Sequence, residues 1–211
     1  MNHSRDNFGG SEQPATSSSR TSHEFVWARE ALATAKSRPR LATSLTTLVG
    51  GWQATLKPMY VQEQRRLVNV KSVHQDRRSL AMDVSADTYS ALLKTYHHFL
   101  QMCVTHVVGT DRALPALPEG RQFARRLESA FPMISTNCWS GDEMLMCRAV
   151  RQTMAHHNGI DHARLNRWRD RLSIDDGRLH IRPADVFALY QRLKTNVEQL
   201  IQGVLSQPAL Q

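Results

Sequence analysis

Arg151 and His156 are the residues whose types and spacing best suit chemistry, with four residues between them and His157-Asn158-Gly159 directly after. Histidine exchanges a proton close to neutral pH, its free pKa being about 6.5, so it suits general acid–base work. Arginine keeps its charge and offers a planar fork that donates two parallel hydrogen bonds to a phosphate. Arg148 stands one turn before Arg151 and is a candidate second phosphate contact. Gln152, His157 and Asn158 are candidate supporting residues. A plainer reading exists for each. Basic side chains near a helix C-terminus are favoured by the helix dipole alone, and His157 fits a helix-end or core role.

The run Arg151-x4-His156, followed by His157-Asn158-Gly159-Ile160, resembles the signature of the HEPN superfamily, all-α domains many of which are metal-independent ribonucleases. Arg151 matches the family arginine and His156 the family histidine, and the Asn-Gly ending is usual in several prokaryotic branches. Active members often carry Asn, Asp or His directly after the arginine, where this chain has Gln152. The resemblance implies a HEPN-like helical bundle and an endoribonuclease whose site forms at a homodimer interface. It implies RNA as the substrate, no metal and no cofactor. A toxin or defence effector is the expected setting, with a possible antitoxin partner. A different class stays open: a HEPN-like module without activity that dimerises or binds RNA, which Gln152 favours.

RNA carries its own nucleophile, the 2′-OH beside each phosphate. Cleavage needs a base for that proton, an acid for the leaving 5′-oxygen, and cationic donors for the charge on the transition state. At about 100° per residue, Arg151 and His156 lie roughly 140° apart around an ideal helix. One helix does not aim both at one point unless its end unwinds or the arginine bends round. Two copies meeting on a two-fold axis pool two of each, so helix geometry and family resemblance both favour a homodimer.

The elements that must position these residues follow from capping and periodicity. Ser140 and Glu143 have capping-box spacing, Asp142 and Glu143 place negative charge in the first turn, and Asn158-Gly159 suits a helix stop. A helix from about Gly141 to His157 is predicted. Upstream, Phe25 to Ala35 reads as a helix stopped by Pro39, and Leu41 to Leu56 as a second, ended by Pro58. The Gly50-Gly51 pair within it weakens the helix or admits a close neighbour. Leu67 to Val73 fits helix or strand, with helix preferred. A long helix from Ala86 to Val108, capped by Ser85 or Asp87, carries Tyr89, Leu92, Leu93, Tyr96, Phe99, Leu100, Cys103, Val104 and Val107 on a broad apolar stripe. His97, His98 and His106 lie on it and read as core or surface residues. Glu119 to Phe131 is a short helix whose Arg121, Arg125 and Arg126 form either a solvated face or a stripe for RNA backbone. Pro132 to Cys138 reads as a loop, Asp161 to Leu172 as a basic helix or helical turn, and Ile174 to Ile181 as a hairpin turning on Asp176-Gly177. Pro183 to Leu205 is the last helix. The fold class is therefore all-α with one small hairpin.

Composition sets the outer bounds. With 27 Lys+Arg against 19 Asp+Glu, the net charge is +8 and the pI about 9.9, which favours polyanionic partners. Three cysteines, none in a Cys-x-x-Cys pair, suit buried thiols in a reducing cytoplasm. No apolar run suits a membrane span, and residues 1–22 read as a disordered tail ahead of a single domain over 23–206. His156, His157, Asp161 and His162 have metal-ligating side chains, but the Asn158-Gly159 break between them opposes tetrahedral convergence. Neither a phosphate-binding glycine loop nor a nucleophile elbow is present.

Overall fold

The structure, a computed structural model, describes residues 25–68, 75–108, 120–132, 134–157 and 163–206. The fold is all-α. Six α-helices follow one another among these residues: α1 (Val26–Ala35), α2 (Pro39–Val68), α3 (Gln75–Val108), α4 (Arg121–Ala130), α5 (Asp142–His157) and α6 (Pro183–Ser206). A π-helical turn (Thr136–Ser140) precedes α5, and a 3-10 turn (Asn166–Arg171) and a two-stranded hairpin separate α5 from α6. The predicted tail lies outside the described residues.

Helices α2 and α3 form the frame, 30 and 34 residues long and so roughly 45 and 51 Å at the α-helical rise. Among the described residues they share the most extensive helix contact, and α3 also receives α4, α5 and α6. Gly51 sits where α2 meets α3, since a Cβ there would lie 2.9 Å from Thr95 Cγ2. The close-approach reading of the glycine pair therefore holds for Gly51, whereas Gly50 faces open space. Beside it, Trp52 is fully buried and its Nε1–H donates to the Leu92 carbonyl of α3 at 3.3 Å. Trp27 of α1 donates from Nε1 to the Tyr190 hydroxyl of α6 at 3.0 Å. Helices α1, α2 and α6 thus meet around Trp27, Trp52 and Tyr190. The expected apolar stripe of α3 is buried from Tyr89 to Val104.

Several boundaries differ from expectation. Pro58 does not end a helix but lies inside α2. A helical proline costs about 3 kcal/mol, yet Leu56 and Met59 on either side are buried, and burying two such side chains contributes about 1.5–3 kcal/mol each. Pro39, expected as a stop, is the first residue of α2, where its missing N–H has no intrahelical partner to lose. Leu67 and Val68 end α2, and the rest of the Leu67–Val73 segment lies outside the described residues. Helix α3 begins at Gln75, so Ser85 and Asp87 are interior residues and not caps. Ser85 is small enough to be buried there.

Where a loop was expected after Pro132, the chain forms the π-helical turn. Tertiary hydrogen bonds hold it. Tyr96 of α3 donates to the Cys138 carbonyl at 3.1 Å and Asn196 Nδ2 of α6 to the Asn137 carbonyl at 3.3 Å. Of the helix or helical turn expected over Asp161–Leu172, the described residues form the turn, a 3-10 turn built around the buried Trp168. The hairpin pairs Ile174 with Leu179 and Asp175 with Arg178. Its turn residues, Asp176 at φ 45° and Gly177 at φ 73°, have the two positive φ values of the expected primed turn. Pro183 opens α6, and Asp185 reaches back to accept the Arg182 N–H at 2.8 Å.

Candidate active site

Helix α5 starts one residue later than predicted and runs unbroken to His157. Its buried stripe is Met144, Cys147, Val150 and Thr153, spaced by three as one face of a helix requires. The predicted capping box is absent. Ser140 ends the π-helical turn and Gly141 stands directly ahead of α5. Gly141 is tightly seated, because a Cβ there would lie 2.6 Å from the Thr136 carbonyl oxygen. Glu143 does not reach back to a cap; its carboxylate pairs with Arg171 and, at 2.7 Å, with Arg192 of α6. Asp142 accepts from Arg167, from Arg171 at 3.1 Å and from Trp168 Nε1 at 2.9 Å.

Those contacts tie the start of the motif helix to the segment that follows it. The hydrogen bonds from Arg167 and Trp168 hold the Asp142 carboxyl below its usual pKa. A depressed carboxyl contributes its stabilisation above the unfolded pKa and loses it as pH falls through the folded one. The clamp is thus intact at neutral pH and loosens in acid. Sequence reasoning assigned Asp142 and Glu143 to the helix dipole and missed their partners, which lie 25 to 29 residues away in Arg167, Trp168 and Arg171 and farther still in Arg192 of α6.

On the last turns of α5, Arg148 and Arg151 are half-buried and Gln152 is exposed. Arg148 and Arg151 are three residues apart, about 60° around the helix, so they share one side of it. The backbone remains α-helical through His156 and His157. Regular helix to that point leaves the roughly 140° offset between Arg151 and His156 in place. The unwinding that would have aimed both at one spot does not occur within α5. Asn158, like Asp161 and His162 of the weighed metal cluster, lies outside the described residues.

No family model, curated protein or solved structure matches this chain.

Trp139, which sequence reasoning passed over, packs against a side chain of the motif helix. It is buried in the π-helical turn, and the Arg148 guanidinium lies over its ring at 4.0 Å. Nothing in the sequence marked it, because the turn that presents it was expected to be a loop. His97, read as a core or surface residue, is half-buried and stacks on the same indole. His98 is exposed. On α4 the three arginines Arg121, Arg125 and Arg126 are all exposed, while Phe123 on its inner face meets Trp139. All three cysteines are buried free thiols, as expected. Burial pushes the Cys138 thiol up to about 12 and raises Cys103 and Cys147 as well, so none is a ready nucleophile.

A cavity of about 140 Å³ lies beside α5, lined by Tyr89, Cys147, Val150, Arg171, Leu189 and Arg192 among others. Both of its arginines are engaged with Asp142 and Glu143. Among the described residues no group of three or more His, Cys, Asp or Glu could hold a metal ion, and no helix is long and apolar enough to cross a membrane.

Proposed function

We propose that this chain is a metal-independent endoribonuclease of the HEPN type, acting as a toxin or defence effector in the cytoplasm. The observation that carries the reading is the placement of Arg148, Arg151, His156 and His157 in the last three turns of one unbroken helix. Arg151 holds the scissile phosphate and His156 moves the protons. In the reaction the 2′-oxygen attacks phosphorus, its proton passes to a base, and the P–O5′ bond breaks as the 5′-oxygen takes a proton from an acid. Arg148, Gln152, His157 and Asn158 support RNA binding. The net charge of +8 suits a polyanionic substrate.

Because α5 is regular through His157, pairing of two such helices across a two-fold axis is the route that brings one chain's Arg151 to the other's His156. Light scattering at micromolar concentration is expected to give a mass near 48 kDa, about twice the 24.0 kDa chain. A monomer at that concentration would count against a composite site.

The chemistry needs no divalent ion. Purified protein is expected to cut single-stranded RNA at an undiminished rate in excess EDTA. Cleavage that stops with EDTA and returns with added magnesium or zinc would move the reaction away from Arg151 and His156.

A second reading has one observation behind it. Gln152 is exposed on α5 immediately after Arg151, and a neutral amide there suits an RNA-binding or dimerisation module with no turnover. RNA retained but never cut, with or without metal, would favour that module.

A further inference from the structure

Three helices bring side chains to Trp139. His97 from α3 stacks on the indole with ring centroids 5.0 Å apart and planes 20° apart. Phe123 from α4 meets the indole edge-on at 4.9 Å and the His97 ring at 4.6 Å. Arg148 from α5 sets its guanidinium carbon 4.0 Å from the indole centroid. The π-helical turn supplies Trp139 itself, and such turns are frequent at functional sites.

One detail separates this cluster from ordinary packing. Trp139 Nε1 is buried and has no hydrogen-bond partner among the described residues. A buried donor left unpaired is destabilising, and a phenylalanine would fill an apolar junction without that cost. What indole offers beyond phenyl is the stronger attraction for a cation over its face. The residue type at 139 is thus accounted for by the guanidinium lying on it.

We infer that Trp139 is the positioning residue for Arg148, and that this seat makes Arg148 a fixed phosphate-binding group for RNA next to the phosphate held by Arg151. The inference rests on the ribonuclease reading for its ligand. Arg148 and Arg151 share a side of α5 with a rise of about 4.5 Å between them, which suits neighbouring phosphates of one strand. Holding the guanidinium on a rigid ring before RNA arrives removes part of the ordering cost of a long side chain. The charge of Arg148 is then presented in one orientation, as a fork.

The test uses the full chain and a 2′-O-methyl RNA oligonucleotide, which binds but has no 2′-OH to react. Arg148→Ala is expected to weaken binding about tenfold to a hundredfold and to lower the slope of log K against log salt by about 1. Arg148→Lys keeps the charge but loses the fork and is expected to recover only a small part of that affinity. Trp139→Phe keeps an aromatic face and fills most of the site; it is expected to weaken binding about three- to tenfold. Combined with Arg148→Ala it should add nothing, since both changes remove one contact. Wild-type affinity in Trp139→Phe, or losses that add in the double variant, would overturn the inference.

Inorganic pyrophosphate gives a second readout that does not depend on RNA. Its titration should shift the Arg148 Nε–H resonance strongly in the parent chain and weakly in Trp139→Phe. If pyrophosphate acts in this way but the oligonucleotide does not bind, the anion seat stands and the ribonuclease reading fails. If the oligonucleotide binds equally to parent and variants, the seat fails and the ribonuclease reading survives. Binding of neither probe overturns both.

Discussion

His156→Ala is expected to lower RNA cleavage by ~10²–10⁴-fold, the range over which a positioned general acid or base acts. Arg151→Ala should cost ~10²–10³, as the loss of a transition-state contact commonly does. Arg151 does not belong to the buried stripe of α5, which is Met144, Cys147, Val150 and Thr153, and His156 stands at the end of the helix, where truncation costs little. Both variants should therefore keep the circular dichroism and oligomeric state of the parent chain. If the protein is toxic in cells, both should express freely where the parent does not. His157→Ala is the informative control and should change turnover far less. The opposite pattern, with His157 essential and His156 dispensable, would shift the Arg-x4-His register by one. If no substitution matters to RNA turnover, the domain is a binding module.

Trp52→Ala is expected to lose about 3–5 kcal/mol of stability, the usual cost of emptying a buried aromatic site. That is a large share of the ~5–15 kcal/mol by which a domain is stable. Trp52 is fully buried, its ring meets Tyr190 edge-on at 5.6 Å and Trp27 at 6.3 Å, and its indole N–H is satisfied from α3. One truncation therefore loosens α1, α2, α3 and α6 together. Chemical denaturation should show a lower midpoint with a similar slope. Tyr190→Phe, which keeps the ring and removes the acceptor of the Trp27 N–H, should cost less, about 1–3 kcal/mol. A loss below about 1 kcal/mol for Trp52→Ala would contradict the packing described for these four helices.

Periodicity and capping made much of this fold legible. The α3 stripe and nearly all of α6 could be read from residue spacing, because a broad apolar face leaves one way to orient each helix. The hairpin was legible from Asp176-Gly177, since few residues accept two successive positive φ values. What escaped depended on distant partners. Pro58 reads locally as a stop, and only the burial of Leu56 and Met59 carries α2 through it. The π-helical turn needs hydrogen bonds from Tyr96 and Asn196, residues about 40 and 60 positions away. Of the motif, Arg148, Arg151 and Gln152 could be placed on α5 from sequence. Trp139 could not, because its role arises where α3, α4 and α5 meet, and no local spacing encodes that meeting.

The central claim is that RNA is cut by its own 2′-OH, helped by histidine and arginine alone. Analysis of the product ends after incubation of a labelled single-stranded RNA in excess EDTA tests it most directly. Fragments ending in a 2′,3′-cyclic phosphate, with 5′-hydroxyl partners, are the expected products, and His156→Ala should fail to produce them. Intact RNA, or fragments with 5′-phosphate ends that form only when divalent metal is restored, would contradict it.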